Sequence, residues 1–251
     1  MSSHITKLSW AGIRITAGAE QLVIDGLEGR NGEVQGRIGP NRRPLIDLAE
    51  TSIDVALVTH THKDHFDADA LHRRLTPHKR VLVPADSAAE VRDAGFNAIP
   101  ITPFAGTAVG AFHITALPAV DGFGAAQVAW LVETPDLRII HLGDTLFHGF
   151  WWQIAKFAGP VDAVFLPING ARVAIPGQPA TGLPGVMTAE QAVVAARLLQ
   201  ARLAVPIHYE EFHSPPAYNA DLHAEAQFLE HARAQAVPAQ VFAPGEIVLT
   251  R

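Results

Sequence analysis

Val58-Thr-His-Thr-His-Lys-Asp-His65 is the stretch on which the reading of this chain turns. The run Asp54–Thr59 that leads into it is mostly apolar, as expected of a strand covered on both faces. His60 and His62 stand two residues apart, so on an extended chain they point the same way, and the turn that follows can aim Asp64 and His65 at a neighbouring point. Four imidazole and carboxylate groups crowded into six residues are costly to pack unless something binds them, because buried polar groups need partners. The competing reading is a solvated turn with chance histidines; the density of donors argues against it.

Outward from this stretch, apolar strand-like runs recur at Leu22–Asp25, Arg80–Val83, Phe112–Leu117, Gln127–Glu133, Arg138–Leu142, Val161–Leu166, Leu203–Ile207 and Ile247–Leu249. Helical patterns fall between them. The clearest opens on the capping box Thr188-Ala-Glu-Gln191 and puts Ala189, Ala192, Val193, Ala196 and Leu199 on one stripe. Asp67–Leu75, Asp86–Ala94, Phe150–Phe157 and Asn219–Ala234 are further helix candidates, with Trp151 and Trp152 expected in the core. Gly26–Pro44, carrying Arg30, Arg37, Arg42 and Arg43, and the Gly/Pro-rich Ala171–Val186 read as long surface loops, which are uncommon in a compact domain unless they serve a function. No linker or composition break divides the chain, so residues 1–251 are expected to form a single α/β domain with two packed sheets.

Composition narrows the chemistry. The 251 residues are 48% hydrophobic and 18% charged, enough to bury a core, and no apolar stretch has the length of a membrane span. No export signal is visible at the N-terminus, which makes the cytoplasm the expected location. A formal net charge of −6 gives no footprint for nucleic acid. The absence of cysteine rules out disulfides, thiolate-ligated zinc, iron–sulfur clusters and cysteine nucleophiles, so any metal must sit on nitrogen and oxygen donors.

Two further segments complete the pattern, Ile139-Ile-His-Leu-Gly-Asp144-Thr and Ala204-Val-Pro-Ile-His208-Tyr. Each alone is weak: Asp is an ordinary turn residue, and a lone histidine is more often structural. In this order and spacing with His-x-His-x-Asp-His, they resemble the signature of the metallo-β-lactamase superfamily. Leu8-Ser-Trp-Ala-Gly-Ile-Arg-Ile, Val23-Ile-Asp25, Leu166-Pro-Ile-Asn-Gly170, Met187-Thr-Ala-Glu-Gln and Pro206-Ile-His-Tyr-Glu-Glu-Phe212 are similar to the branch of ascorbate-6-phosphate lactonase and the N-acyl phosphatidylethanolamine phospholipase D-like enzymes. The resemblance implies a four-layer αββα sandwich with ligands on loops at one edge. It also implies two divalent metal ions, zinc foremost with manganese or iron as alternatives. His60 and His62 would serve one ion, Asp64, His65 and His208 the other, and Asp144 both. Where the family has a histidine after Phe112–Leu117, this chain reads Pro118-Ala-Val-Asp121-Gly122; Asp121 can ligate through a carboxylate oxygen or merely begin a turn.

The implied activity is hydrolysis of a small, anionic ester or lactone by a metal-activated water, with Asp64 or Asp144 taking the proton. Arg42, Arg43, His148, Tyr209 and His213 are candidate substrate contacts, and His141 is a candidate partner that orients a ligand. A phosphodiesterase, a redox-iron enzyme and a non-catalytic metal-binding or regulatory protein are the competing functions. No nucleic-acid or membrane partner is expected.

Overall fold

The computed structural model describes residues 2–28, 32–50 and 52–251. Among them the strands make two large sheets and a small one. The first sheet runs in the order β15 (Ile247–Thr250), β1 (Ser3–Lys7), β2 (Ile13–Ala17), β3 (Glu20–Ile24), β4 (Ile53–Leu57), β5 (Leu75–Pro84), β6 (Asn97–Ile101). Its first four strands are antiparallel, and β3 to β6 are parallel neighbours. The second sheet runs β13 (Ala204–Ile207), β11 (Ala163–Pro167), β10 (Arg138–His141), β9 (Val128–Glu133), β8 (Phe112–Pro118), β7 (Gly106–Val109), parallel from β10 to β13 and antiparallel elsewhere. β12 (Arg172–Val173) and β14 (Tyr218–Asn219) pair separately.

Alternation along the strands sorts the core into layers. Val55, Leu57, Leu82, Ile114, Trp130, Phe165, Val205 and Ile207 point between the two large sheets and form one buried cluster. Ala56, Val58, Val81 and Val83 face the other way, onto Ala70 and Leu71 of α2 (Ala68–Arg74) and Val91 of α3 (Ala88–Asp93). Leu131, Ile140, Val164 and Leu166 face α4 (Trp151–Ala158), α5 (Ala189–Leu198) and α6 (Ala224–Ala234). The result is helix, sheet, sheet, helix, the four-layer arrangement expected. β11 is buried along its whole length because both its faces are covered. In α5 the expected capping box forms: Gln191 N–H donates to Thr188 Oγ1 at 3.4 Å and Thr188 N–H to Gln191 Oε1 at 3.1 Å.

Three expectations are corrected. The segment Gly26–Pro44 is not all loop, since α1 (Gly32–Ile38) lies within it; Arg30 and the side chain of Arg37 lie outside the described residues. α6 begins at Ala224, because Tyr218 and Asn219 are drawn into the small sheet. Trp151 is fully buried, but Trp152, one position around the same helix, is 63% exposed. Only the 151, 154, 158 stripe faces the sheet. The N-terminal pair β1 and β2 and the edge strands β6 and β7 have no counterpart among the expected elements.

Candidate metal centre

The C-terminal ends of β3, β4, β8, β10 and β13 meet at one edge of the sandwich, and the chain leaving each carries a polar side chain into the same space: Asp25, His60 to His65, Asp121, Asp144 and His208. The local backbone is unusual there. Asp25 and His208 adopt left-handed φ of 46° and 57°, a conformation that non-glycine residues reach only at a cost and that clusters at functional sites. Gly143 has φ 60°, and a Cβ there would stand 2.7 Å from Thr59 Oγ1, so only glycine lets the β10 turn deliver Asp144 against the β4 turn.

The donor atoms fall into two groups, each with all atoms within 4.8 Å of one another: Asp64, His65, Asp144 and His208, and His60, His62 and Asp121. In the first, His65 Nε2 and His208 Nε2 lie 3.0 and 2.9 Å from Asp144 Oδ1, and 3.5 and 3.6 Å from Asp64 Oδ2. In the second, His62 Nδ1 is 3.9 Å from Asp121 Oδ1. Asp144 Oδ2, 4.0 Å from His60 Nε2, faces the second group from the first.

Hydrogen bonds behind the ligands fix which nitrogen faces inward. Asp25 accepts from Thr59 N–H at 2.8 Å, from Thr59 Oγ1–H at 2.6 Å and from His65 Nδ1–H at 2.8 Å. Because the single hydroxyl proton of Thr59 goes to Asp25, Thr59 Oγ1 accepts from His60 Nδ1–H at 3.0 Å. One carboxylate therefore sets both rings, turning the Nε2 atoms of His60 and His65 toward the cluster. His141 holds the turn before Asp144: its Nε2–H donates to Ala11 O at 2.7 Å and its Nδ1 accepts from Gly143 N–H at 3.3 Å. Asp121 does begin a turn, and one of its oxygens is left beside His62. Its Oδ2 accepts from Phe123 and Ala125 N–H, each at 2.8 Å, while Oδ1 faces His62.

The charges of the centre are held against the effect of burial. Burial alone would raise Asp64 and Asp144, yet His65 and His208 hold both carboxyls below the usual carboxylate range. Burial alone would likewise lower His65 and His208, yet Asp144 raises both, and Asp64 also flanks them. His60, buried with His65 beside it, is pushed down to about 3 and is neutral at physiological pH. Among the described residues, Nε2 of His60, His65 and His208 and Oδ1 of Asp144 are buried without a hydrogen-bond partner, despite distances near 3 Å within the first group. Donor atoms that converge without hydrogen-bond geometry suit a cation, which would take the place of the protons on His65 and His208, and the all-nitrogen-and-oxygen donor set suits zinc, manganese or iron.

A model of the beta-lactamase superfamily domain matches residues 21–209. A UPF0173 metal-dependent hydrolase of Rubrobacter xylanophilus is 30% identical over 97% of this chain and 95% of its own length. The chain belongs to the metallo-β-lactamase superfamily, in its UPF0173 metal-dependent hydrolase family. This family member also shares its fold with Igni18, a metallo hydrolase from Ignicoccus hospitalis (TM-score 0.71, 18% identity, 100% of this chain and 99% of that one). A second fold relative is CmlA, a diiron β-hydroxylase from Streptomyces venezuelae (TM-score 0.76, 15% identity, 98% of this chain and 54% of that one).

The candidate substrate contacts are scattered. Tyr209 turns away from the ligands: it is buried in the cluster under α5 and α6, where burial and Glu225 raise its hydroxyl. Arg43 pairs with Glu210, and Arg42 donates from its guanidinium to the Glu210 carbonyl at 3.4 Å and from its backbone N–H to the Glu211 carbonyl at 2.7 Å, so both residues are engaged by the turn after His208. His148 stacks on Trp151 at 4.2 Å and is lowered to about 4 by burial. His213 is half-buried beyond that turn. The Ala171–Val186 segment does pack against the centre's edge, where Gly185 lies on the Phe123 ring and its carbonyl would stand 2.2 Å from a Cβ at Gly122. Asp25, Thr59 and Trp10 are the participants the sequence did not single out; Asp25 carries a weak signal, an acid closing an apolar strand.

Proposed function

We propose that this hydrolase-family protein is a two-metal enzyme that cleaves a small ester or lactone. The observation that carries this reading is the convergence of three buried imidazole Nε2 atoms and one buried carboxylate oxygen with no hydrogen-bond partner among the described residues. In this proposal His60, His62 and Asp121 hold one divalent ion, zinc foremost, Asp64, His65 and His208 the other, and Asp144 both. Bound there, the ions would supply Lewis-acid activation of water and of the scissile carbonyl.

The chain's own residues do the rest. Asp25 keeps His65 and, through Thr59, His60 in the tautomer that presents Nε2. Asp64 and Asp144, both held as carboxylates beside the donor cluster, are the acceptors available to receive a proton as attack proceeds. Asp64 Oδ2 accepts from the Trp10 indole N–H at 3.1 Å, which fixes the direction of that carboxylate. Phe123, 6.4 Å from the His62 ring and partly exposed, borders the open side with an apolar surface. With Arg42 and Arg43 engaged elsewhere, the case for an anionic substrate rests mainly on the charge the metals would bring. Residues 1–251 act as one domain in this reading, since β15 closes the sheet opened by β1.

The test is metal analysis of protein purified without chelator, combined with turnover of γ-thiobutyrolactone, p-nitrophenyl acetate and bis(p-nitrophenyl) phosphate. Two metal equivalents with cleavage of the lactone or ester are expected. Cleavage of the phosphodiester alone selects the phosphodiesterase reading. Full metal loading with no turnover of any of the three selects the binding or regulatory one.

A further inference from the structure

The buried group that this mechanism leaves without a task is Lys7. It lies within the fold at 3% exposure, and burial lowers its ammonium to about 8. A buried lysine costs stability unless its donors are satisfied. Its Nζ donates to the carbonyls of Leu8 and Trp10, at 2.9 Å for the second. The same Trp10 carbonyl accepts His208 N–H at 3.3 Å, and Trp10 N–H donates to Glu211 Oε1 at 3.2 Å. The backbone of Trp10, at a left-handed φ of 56°, is thus clamped on both polar groups by Lys7 and by the turn that carries His208. Its side chain is fixed as firmly. The indole N–H donates to Asp64 Oδ2 at 3.1 Å, the ring lies 3.9 Å from the His208 ring, and Phe212 meets it edge-on at 4.9 Å.

We propose that Trp10 is a positioning residue for the buried half of the metal centre, the Asp64, His65, Asp144 and His208 group, with Lys7 and Glu211 as the clamp that holds it. One indole touches two ligands delivered by different sheets, Asp64 after β4 and His208 after β13. The N–H takes one lone pair of Asp64 Oδ2 and so fixes the direction of the rest of that carboxylate. The indole face limits rotation of the His208 ring, whose Nδ1 has no hydrogen-bond partner among the described residues to do that work. His65 has Asp25 for this purpose; His208 has Trp10. The inference rests on the two-metal reading.

The test isolates the buried half. In a His62→Ala background, zinc is titrated calorimetrically into chelator-treated protein with and without Trp10→Phe, which keeps a ring and removes the N–H. Partners of this kind typically account for 10–100-fold in metal affinity, so a loss of about tenfold is expected. Lys7→Met in the same background should produce a smaller loss in the same direction. Unchanged affinity in Trp10→Phe overturns the proposal. Should that variant not fold, the unsubstituted protein decides. Among the indole N–H signals of its 4 tryptophans, one must shift as zinc fills the buried half, and four unmoved signals overturn the proposal equally. Zinc binding with unchanged affinity in the variant removes this inference alone, whereas no zinc binding by the unsubstituted protein removes the two-metal reading with it.

Discussion

The two halves of the centre are built by different means. In the buried half, the Asp64, His65, Asp144 and His208 group, the His65 and His208 side chains are 0% and 1% exposed, and three of the donors have long-range partners behind them: Asp25 for His65, Trp10 for Asp64 and His208. In the open half, the His60, His62 and Asp121 group, His60 is buried and reaches Asp25 through Thr59, but the His62 side chain is 34% exposed and Asp121 is held by the amides of its own turn. A rigid, pre-oriented site loses less freedom on binding than a loose one. On the two-metal proposal, the comparison predicts a tighter ion in the first group and a more exchangeable one beside His62, the donor most open to solvent.

The largest expected effect comes from the residue the halves share. Asp144→Ala should lower turnover of any probe the unsubstituted protein cleaves by about three orders of magnitude or more, at or above the scale seen when a central electrostatic contributor is lost. Metal content should fall in both halves while the melting temperature of the metal-free protein changes little. Unaltered turnover would break the picture of a shared bridge.

Next come substitutions that should split the halves. Asp121→Ala should reduce the chain from two bound metals to one, read by elemental analysis. Asp121→Asn separates the residue's two tasks, because an amide oxygen can still accept from Phe123 and Ala125 N–H but brings no negative charge. It should keep the turn and still lose the metal; retention of both ions would reduce Asp121 to a turn residue. Asp121→His should restore occupancy and shift preference toward zinc.

Asp25→Asn should weaken both halves by about 10–100-fold, since the one carboxylate orients His65 directly and His60 through Thr59. A loss confined to the buried half would show that the Thr59 relay carries nothing.

Acidity should sharpen the contrast. His65 and His208 are raised by the carboxylates facing them, so in the metal-free protein they keep their protons below their raised values and lose them as pH rises through those values. Metal binding in the buried half must displace these protons, at about tenfold in affinity per pH unit for each. His60 is already neutral, lowered to about 3, and adds no such dependence to the open half. Zinc affinities measured from about pH 6 to 8 in His62→Ala and in His208→Ala protein should diverge in slope, and parallel slopes would contradict the assignment.

The smallest effect is expected from Arg42→Ala with Arg43→Ala. The Arg43–Glu210 pair is solvent-exposed, and pairs of this kind contribute about 0–1 kcal/mol. KM should change by less than about threefold, equally for an anionic and a neutral probe. A selective rise for the anionic probe would return the basic segment to the substrate path.

Much of the centre is legible in the sequence, because its ligands lie in short apolar-strand-then-polar motifs. The period of two places His60 with His62, and a strand end places Asp144 and His208. The layers are legible for a related reason, since strands covered on both faces must be apolar throughout. What stays hidden is short, exposed or dependent on distant partners. β6 and β7 lie at sheet edges where the alternation is diluted, and α1 sits in a segment rich in arginine and glycine. Trp152 reads like its neighbour Trp151 because composition does not give the phase of so short a helix against its sheet.

The sequence by itself determined the inventory of candidate donors and its order along the chain: nitrogen and oxygen groups only, at the ends of buried strands, with Asp121 where the resemblance implies a histidine. Only the tertiary structure decided which nitrogen each histidine presents, which carboxylate oxygen is spent on a turn, and which residues stand behind the ligands. Those choices depend on contacts between Asp25 and His65, 40 residues apart, Trp10 and Asp64, 54 apart, and Trp10 and Glu211, 201 apart. A local motif records the direction in which a side chain leaves its strand; the hydrogen bond that fixes its proton comes from a distant part of the chain, and nothing in the neighbouring residues encodes it.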